Sequence, residues 1–498
     1  MPVPAPLKTV LVLGSAYAGN RSVEVLAKSL PLNWRIVVID RSTHFCHIYA
    51  FPRVSILPGH EQKVFIPFTT MFTRGLDEAQ KAHVGRHQLI HGTVTGLGER
   101  EVRYTPFVPK KILLNGVNTK EEKKEDEAPE ELHEGPEETL SFDYCIYALG
   151  AKYPSPINVW THQSTIFSHE PASLQNLIAT RTEAGEAHEI NKTPVGDKGG
   201  RGVVETTECT GTKKEGVSWM RAAQRRIEEV ERILVVGGGA LGVQMATDII
   251  ATHGQTKKVT LLHSRPNLLN RFDIALHEAA MKRMEEFGIE VILGSRVDGS
   301  FINKTEGGKV RTTDGREVEA DLILWCTGQS PNTSYIQKTY PSAINPTNSL
   351  AYVNRYLQLS TLKPEAVRPD PKVDGPNELK NEDFEVLNER VFVTGDCADA
   401  FGALNAGHTA YWQADMAAEN VLSLIKAEEN VSLASQTPVE LKDYKPPAYG
   451  IKVSLGRDLS IYQRDGKFGI GDPIYNQDDL GTGIMWSSKE LSEDDYFA

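Results

Sequence analysis

The sequence predicts an α/β protein made of two doubly wound, Rossmann-like units and a small C-terminal α+β domain. Three observations predict it. Four apolar residues, Ile233–Val236, run straight into Gly237, Gly239 and Gly242, and Val243, Ala246 and Ile250 follow at helical spacing, so the stretch reads as strand, tight turn, helix. A near copy stands at Thr9–Gly19, with Ala16 where the middle glycine would be. Each copy is closed by a matching phrase, Phe142–Gly150 and Asp321–Gly328, a buried strand running into a small-residue turn.

Composition bounds what these units serve. A chain of 498 residues is too long for one ordinary core, and 40% hydrophobic with 24% charged residues is the balance of a soluble globular protein. The formal charge of -12 is local: residues 118–138 hold ten acids against three lysines, and residues 489–498 hold four against Lys489. The body is therefore near neutral, which argues against a nucleic-acid partner. Five cysteines with no CxxC pair argue against a zinc site or a secreted disulfide scaffold and favour a reducing compartment. Met1–Pro6 lacks signal-peptide character, Pro2 stands where myristoylation requires glycine, and no apolar run approaches the ~18 residues of a membrane span. A cytoplasmic location is expected, with mitochondrial or peripheral membrane placement as the alternatives.

In chain order, Gly14 permits the first turn, and Val23, Leu26, Ala27 and Leu30 form one face of the helix behind Gly19. The next strand, Arg35–Ile39, ends on Asp40, whose carboxylate suits the two ribose hydroxyls of an adenosine. Residues 115–139 are too poor in apolar side chains to pack and read as a disordered loop. Residues 182–217 read as a flexible insertion; their Gly211–Gly216 run lacks the Lys-Ser/Thr of a phosphate loop. Helical spacing over Trp219–Arg232 leads into the second unit.

There Gly237 permits the turn, Gly239 lets backbone approach a pyrophosphate, and Gly242 lets helix and strand pack closely. His263 holds the seat that Asp40 holds in the first unit, 26 residues after the first glycine in both. With Ser264 and Arg265 beside it, that seat has lost an acid and gained a hydroxyl and a cation, a pattern that suits a 2′-phosphate and predicts NADPH, alone or beside NADH. A third strand, Arg390–Val393, runs to Gly395-Asp396, followed by a helix from Gly407. An acid there can bind a polyol while the helix amides face a ring carbonyl, as a flavin requires; a salt-bridged strand end is the plain alternative. After a polar linker near 427–446, short β-like pieces suggest a third domain.

The ordered set of Gly-rich turn, small-Leu-Gly turn, second Gly-rich turn, Cys-Thr-Gly turn and Val-Thr-Gly-Asp-Cys-Ala resembles the two-dinucleotide-binding flavoproteins. Phe45–Arg53 and Val453–Arg457 are similar to segments of their apoptosis-inducing-factor-like and ferroptosis-suppressor-like branch, related to type II NADH dehydrogenases. The resemblance implies FAD contacts at Gly14, Ala16, Gly19, Asp40, Arg53, Val94, Gly150, Gly395, Asp396, His408, Thr409 and Ala410, and nicotinamide-dinucleotide contacts at Gly237, Gly239, Gly242, Ser264, Arg265 and Gly328. It implies hydride transfer from NAD(P)H to flavin and electron transfer to a small acceptor, a quinone, in a monomer or homodimer. The implied division is residues 1–181 and 336–426 for FAD, 219–335 for NAD(P), 182–218 for the insertion, and 427–498 for the C-terminal domain and acidic tail. Two departures stand near the chemistry: Gln244 replaces the acid usual two residues after the third glycine, and no lysine follows Gly395-Asp396 at the family's spacing. His408, Tyr411 and His47 are then the candidate proton donors. Two further readings compete, a disulfide or peroxide reductase working through the lone Cys46, and a flavin-binding redox signalling protein with little turnover.

Overall fold

The computed structural model describes residues 6–109, 132–161, 209–299, 308–367, 377–430, 439–471 and 477–497. Its principal elements, in chain order, are β1 (Lys8–Leu13), α1 (Tyr17–Ser29), β2 (Trp34–Asp40), β3 (Gln88–Leu97), β4 (Glu101–Pro109), β5 (Tyr144–Tyr147), α2 (Lys213–Glu228), β6 (Arg232–Val236), α3 (Ala240–His253), β7 (Lys258–His263), β8 (Glu290–Leu293), β9 (Leu322–Trp325), β10 (Gln358–Leu362), β11 (Phe384–Val393) and α4 (Gly407–Glu429).

Two parallel cores share one plan. In the first sheet β1 lies between β5 and β2, and β2 pairs β3; in the second β6 lies between β9 and β7, and β7 pairs β8. The repeat extends to single backbone bonds at the turns. Gly14 N donates to Ile39 O at 2.9 Å and Gly237 N to Leu262 O at 2.8 Å, while Ala148 N reaches Leu13 O and Cys326 N reaches Val236 O. The strands are continuous apolar runs because both faces are covered, and Val10–Leu13 and Val37–Ile39 are fully buried. The first sheet also takes β11 and, antiparallel to it, β10, so chain from both sides of the second unit completes it. Helix α1 packs beside α4 on this sheet.

Three expectations change. Helix α2 begins at Lys213, inside the stretch assigned to the insertion, because Thr212 and Glu215 form a capping box that fixes its first turn. The expected acidic loop and most of the insertion lie outside the described residues, but Leu132–Glu134 and Glu138–Ser141 pair with β4 as strands. The C-terminal stretch read as an acidic tail is folded to Phe497: Tyr496 is buried, its ring centroid 4.7 Å from that of Trp486, and Lys489 is buried as well. Net charge misled there, because Tyr496 and Lys489 anchor a short helix whose acids face outward.

Candidate cofactor and electron-transfer site

The first turn opens into a cleft of about 200 Å³. Gly14, Ala16, Asp40, Val94 and Gly150 line it. Gly14 has φ +84°, and a Cβ there would stand 2.5 Å from Ala148 O; a Cβ on Gly19 would stand 1.8 Å from Gly14 O. The turn is thus held against β5 so that backbone forms the cleft wall. Ala16 caps α1 without a side-chain bond, leaving the first amides of the helix to a ligand's phosphate. Asp40 is oriented by three donors: Ser15 N at 2.5 Å and Ser15 Oγ at 2.8 Å on one oxygen, Ser42 N at 2.7 Å on the other.

Past the cleft, Gly395 (φ +72°) turns β11 toward the start of α4, and its N–H donates to Gln413 Oε1 at 2.6 Å. Burial pushes the Asp396 carboxyl up to about 6. The hydroxyls of Thr394 and Thr409 are buried with no partner among the described residues, and Ala410, next to Thr409 on α4, is buried as well. Orphaned hydroxyls, an enclosed acid and an uncapped helix start are the donor set a ribityl chain and flavin carbonyl would satisfy, so these residues fit FAD.

The three candidate proton donors are not equivalent. His47 Nδ1 lies 3.0 Å from Tyr17 Oη, and the Tyr17 ring meets Tyr411 edge-on at 5.9 Å, so the buried His47 and the half-buried Tyr411 belong to one aromatic cluster. Burial, with Lys489 nearby, pushes the His47 imidazolium down to about 4, so it stands neutral at pH 7. His408 is the second residue of α4, and burial lowers it too. Sequence reasoning missed Tyr17, which joins the cluster, and Lys489, whose Nζ sits 2.8 Å from Asn20 Oδ1 and 3.9 Å above the Phe45 ring. Arginine 53 is placed away from the cleft. Its guanidinium is fully buried on Asp248 of α3, at 2.8 and 2.9 Å, and on Gly456 O at 2.8 Å.

The second turn reproduces the first with different chemistry. A Cβ on Gly242 would stand 1.7 Å from Gly237 O. Gly238 N donates to His263 Nδ1 at 3.0 Å, the bond that Ser15 N makes to Asp40, so the imidazole substitutes for the carboxylate as the acceptor in that seat. Gly239 has open space where a Cβ would be, Ser264 is partly exposed, and Arg265 is exposed, none of them part of the cleft. Gly328 (φ +70°) closes this unit as Gly150 (φ +63°) closes the first. The two closing turns are joined directly: Asn332 N donates to Gly150 O and Asn332 Nδ2 to Leu149 O, both at 2.9 Å, and Ala151 pairs with Pro331. Gln244 is buried, and its amide nitrogen has no partner among the described residues.

Residues 8–363 match the pyridine nucleotide-disulphide oxidoreductase family. The chain belongs to that family. It is an NAD(P)H-dependent flavoprotein oxidoreductase whose cofactors are FAD and NAD(P)H. Among curated relatives, it is 39% identical to Fe-regulated protein 8 of Mycosarcoma maydis over 98% of this chain and 96% of that one. It is 28% identical to human ferroptosis suppressor protein 1, over 97% and 96% of the two chains. Among solved structures, reduced Bacillus anthracis CoADR-RHD superposes with TM-score 0.53 at 13% identity, over 95% of this chain and 63% of that one. An NAD-dependent persulfide reductase from A. fulgidus gives the same TM-score at 15% identity, over 91% and 63%. At such identities the structures establish the shared fold, and family membership rests on the sequence match.

Proposed function

We propose that this family member takes hydride from NAD(P)H and passes the electrons to a quinone. Cys46 carries the argument. Among the described residues it is the one cysteine lining the cleft, and burial together with the Asp40 charge pushes its thiol up to about 12, so it remains a thiol at working pH. A reductase that relays electrons through a protein sulfur needs a thiolate at working pH, and Cys46 stays protonated, so we assign the electrons to a diffusing acceptor. The similarity to a ferroptosis suppressor protein over nearly the whole chain supports the quinone class.

Bound FAD supplies the hydride and electron chemistry. The chain binds and orients it: the Gly14–Gly19 turn takes the pyrophosphate, Asp40 the ribose, Val94 the adenine, and Asp396 with Thr409 the ribityl side. Gly237, Gly239 and Gly242 take the nicotinamide dinucleotide, with Ser264 and Arg265 at its 2′ position and Gly328 closing the turn. The Tyr17 hydroxyl, which burial keeps protonated and which lies 3.0 Å from the neutral His47 Nδ1, is the proton source we assign beside the acceptor, with Tyr411 packed against it. His408 is set aside because no bond among the described residues ties it to that pair.

Stopped-flow kinetics tests the assignment. The yellow protein is reduced anaerobically by NADPH or NADH and then mixed with quinones, oxygen, peroxide or disulfides. Reoxidation should be fastest with quinones, by at least tenfold over the others. Faster reoxidation by a disulfide, or loss of it in Cys46→Ser, would overturn the proposal.

A further inference from the structure

The cleft holds a cation that the reading above leaves unused. Arg41 follows Asp40 and lines the cleft, its guanidinium 3.9 Å above the Trp160 indole. Among the described residues this guanidinium has no ion pair or hydrogen bond. Its neighbour Asp40 is already engaged by Ser15 and Ser42. Both members of the stack are fixed from behind. Trp160 Nε1 donates to Ser42 Oγ at 2.9 Å, and the Arg41 carbonyl accepts from His91 Nε2 at 3.2 Å, which also reaches Thr210 O at 2.7 Å. Thr43 N donates to Gly211 O at 3.1 Å, and a Cβ on Gly211 would stand 2.1 Å from Arg41 O. Chain from 153–161 and from 209–211 thus grips the end of β2 at the mouth of the cleft.

Arg41 is half-buried at the cleft and remains charged; burial lowers its pKa while Asp40 opposes, and a ligand in the cleft supplies the hydrogen bonds that its guanidinium does not make among the described residues. The guanidinium carbon stands 3.9 Å over the indole, and both side chains line the cleft. A purine offers a ring to stack on a guanidinium, and a phosphate offers oxygens for its N–H groups. Asp40 beside it marks the ribose of the same nucleotide.

We propose that Arg41 and Trp160 form a clamp on the adenylate half of FAD, and that this clamp sets the preference for the dinucleotide over the mononucleotide flavin. The inference rests on FAD occupying the first unit and is independent of the electron acceptor. Flavin and nicotinamide ligands separate it from general damage, because FMN lacks the adenylate and NADP⁺ binds the other turn.

Apo-protein is titrated with FAD and FMN by flavin fluorescence and with NADP⁺ by calorimetry. Arg41→Ala and Trp160→Ala should each weaken FAD by roughly tenfold or more, with FMN and NADP⁺ unchanged within about twofold. Arg41→Lys keeps charge without the plane, and Trp160→Phe keeps a ring without the Ser42 bond; each should give an intermediate loss of FAD alone. FAD affinity within twofold of wild type in both alanine variants overturns the clamp. An equal loss of FMN in Arg41→Lys and Trp160→Phe overturns it too, since the stack would then support the fold rather than the ligand. Quinone specificity is unaffected by either result.

Discussion

The buried Arg53–Asp248 pair yields the sharpest prediction, because the sequence and the structure give Arg53 different work. Both side chains are fully buried, and the guanidinium bonds both carboxylate oxygens and Gly456 O, with Gln477 O at 3.3 Å. The pair therefore links the short helix Phe51–Val54 of the first unit, α3 of the second and the C-terminal region. Desolvation outweighs the arginine at Asp248 and holds its carboxyl above the usual range. Removing one partner strands a buried charge, which costs about 3–5 kcal/mol, whereas apolar replacement of both can come near neutral. Arg53→Met should lower the first thermal transition by several degrees and speed proteolysis. Arg53→Met with Asp248→Leu should recover most of that loss and keep FAD within about threefold of wild type. The chain has more than one unit, so the first transition is followed rather than a single global free energy. A stable Arg53→Met protein that has lost FAD would refute the staple and return Arg53 to the flavin.

Three further outcomes follow from the geometry. Gly242→Ala places a Cβ 1.7 Å from Gly237 O, so the protein should keep its yellow FAD and lose reduction by NADPH by at least 100-fold in anaerobic stopped flow; normal reduction contradicts the assigned turn. His263→Asp with Arg265→Ala returns a ribose acid to the second seat, and the NADPH-to-NADH ratio of kcat/KM should fall by tenfold or more, an unchanged ratio removing both residues from discrimination. Burial, then repulsion from Arg74, pushes the Lys489 ammonium down to about 7, with Glu24 opposing. The unfolded chain holds that proton up to roughly 10.4, so between about pH 7 and 10 the unfolded state binds more protons and the lysine's contribution to stability rises with pH. Protection of the C-terminal segment from proteolysis should increase from pH 7 to 9 and lose that slope in Lys489→Met; a slope of the opposite sign contradicts the burial argument.

What the sequence made legible was whatever is written in local period and spacing. Continuous apolar runs ending in glycine marked β1 and β6, because a strand covered on both faces has no polar alternation, and the 26-residue interval aligned Asp40 with His263. The capping box at Thr212 and Glu215 was equally local and could have placed the start of α2; composition over a window hid it behind glycine, threonine and lysine. Long-range pairing was different in kind. Tyr17 and His47 are 30 residues apart, Arg53 and Asp248 are 195 apart, and Lys489 meets Asn20 across 469 residues. No periodicity encodes such encounters, since each side chain alone is an ordinary tyrosine, arginine or lysine. The same limit explains Arg41. In the sequence it is a loop cation after a ribose acid; only when Trp160 is brought under it does an unpaired charge face the cleft. Motifs therefore mark the turns, while the residues proposed to tune cofactor retention and proton supply come from elements that meet only on folding. For this chain the two glycine-rich turns could be placed before any coordinates. The Tyr17–His47 contact and the Arg41–Trp160 stack, on which the proposed proton source and the proposed clamp rest, could not.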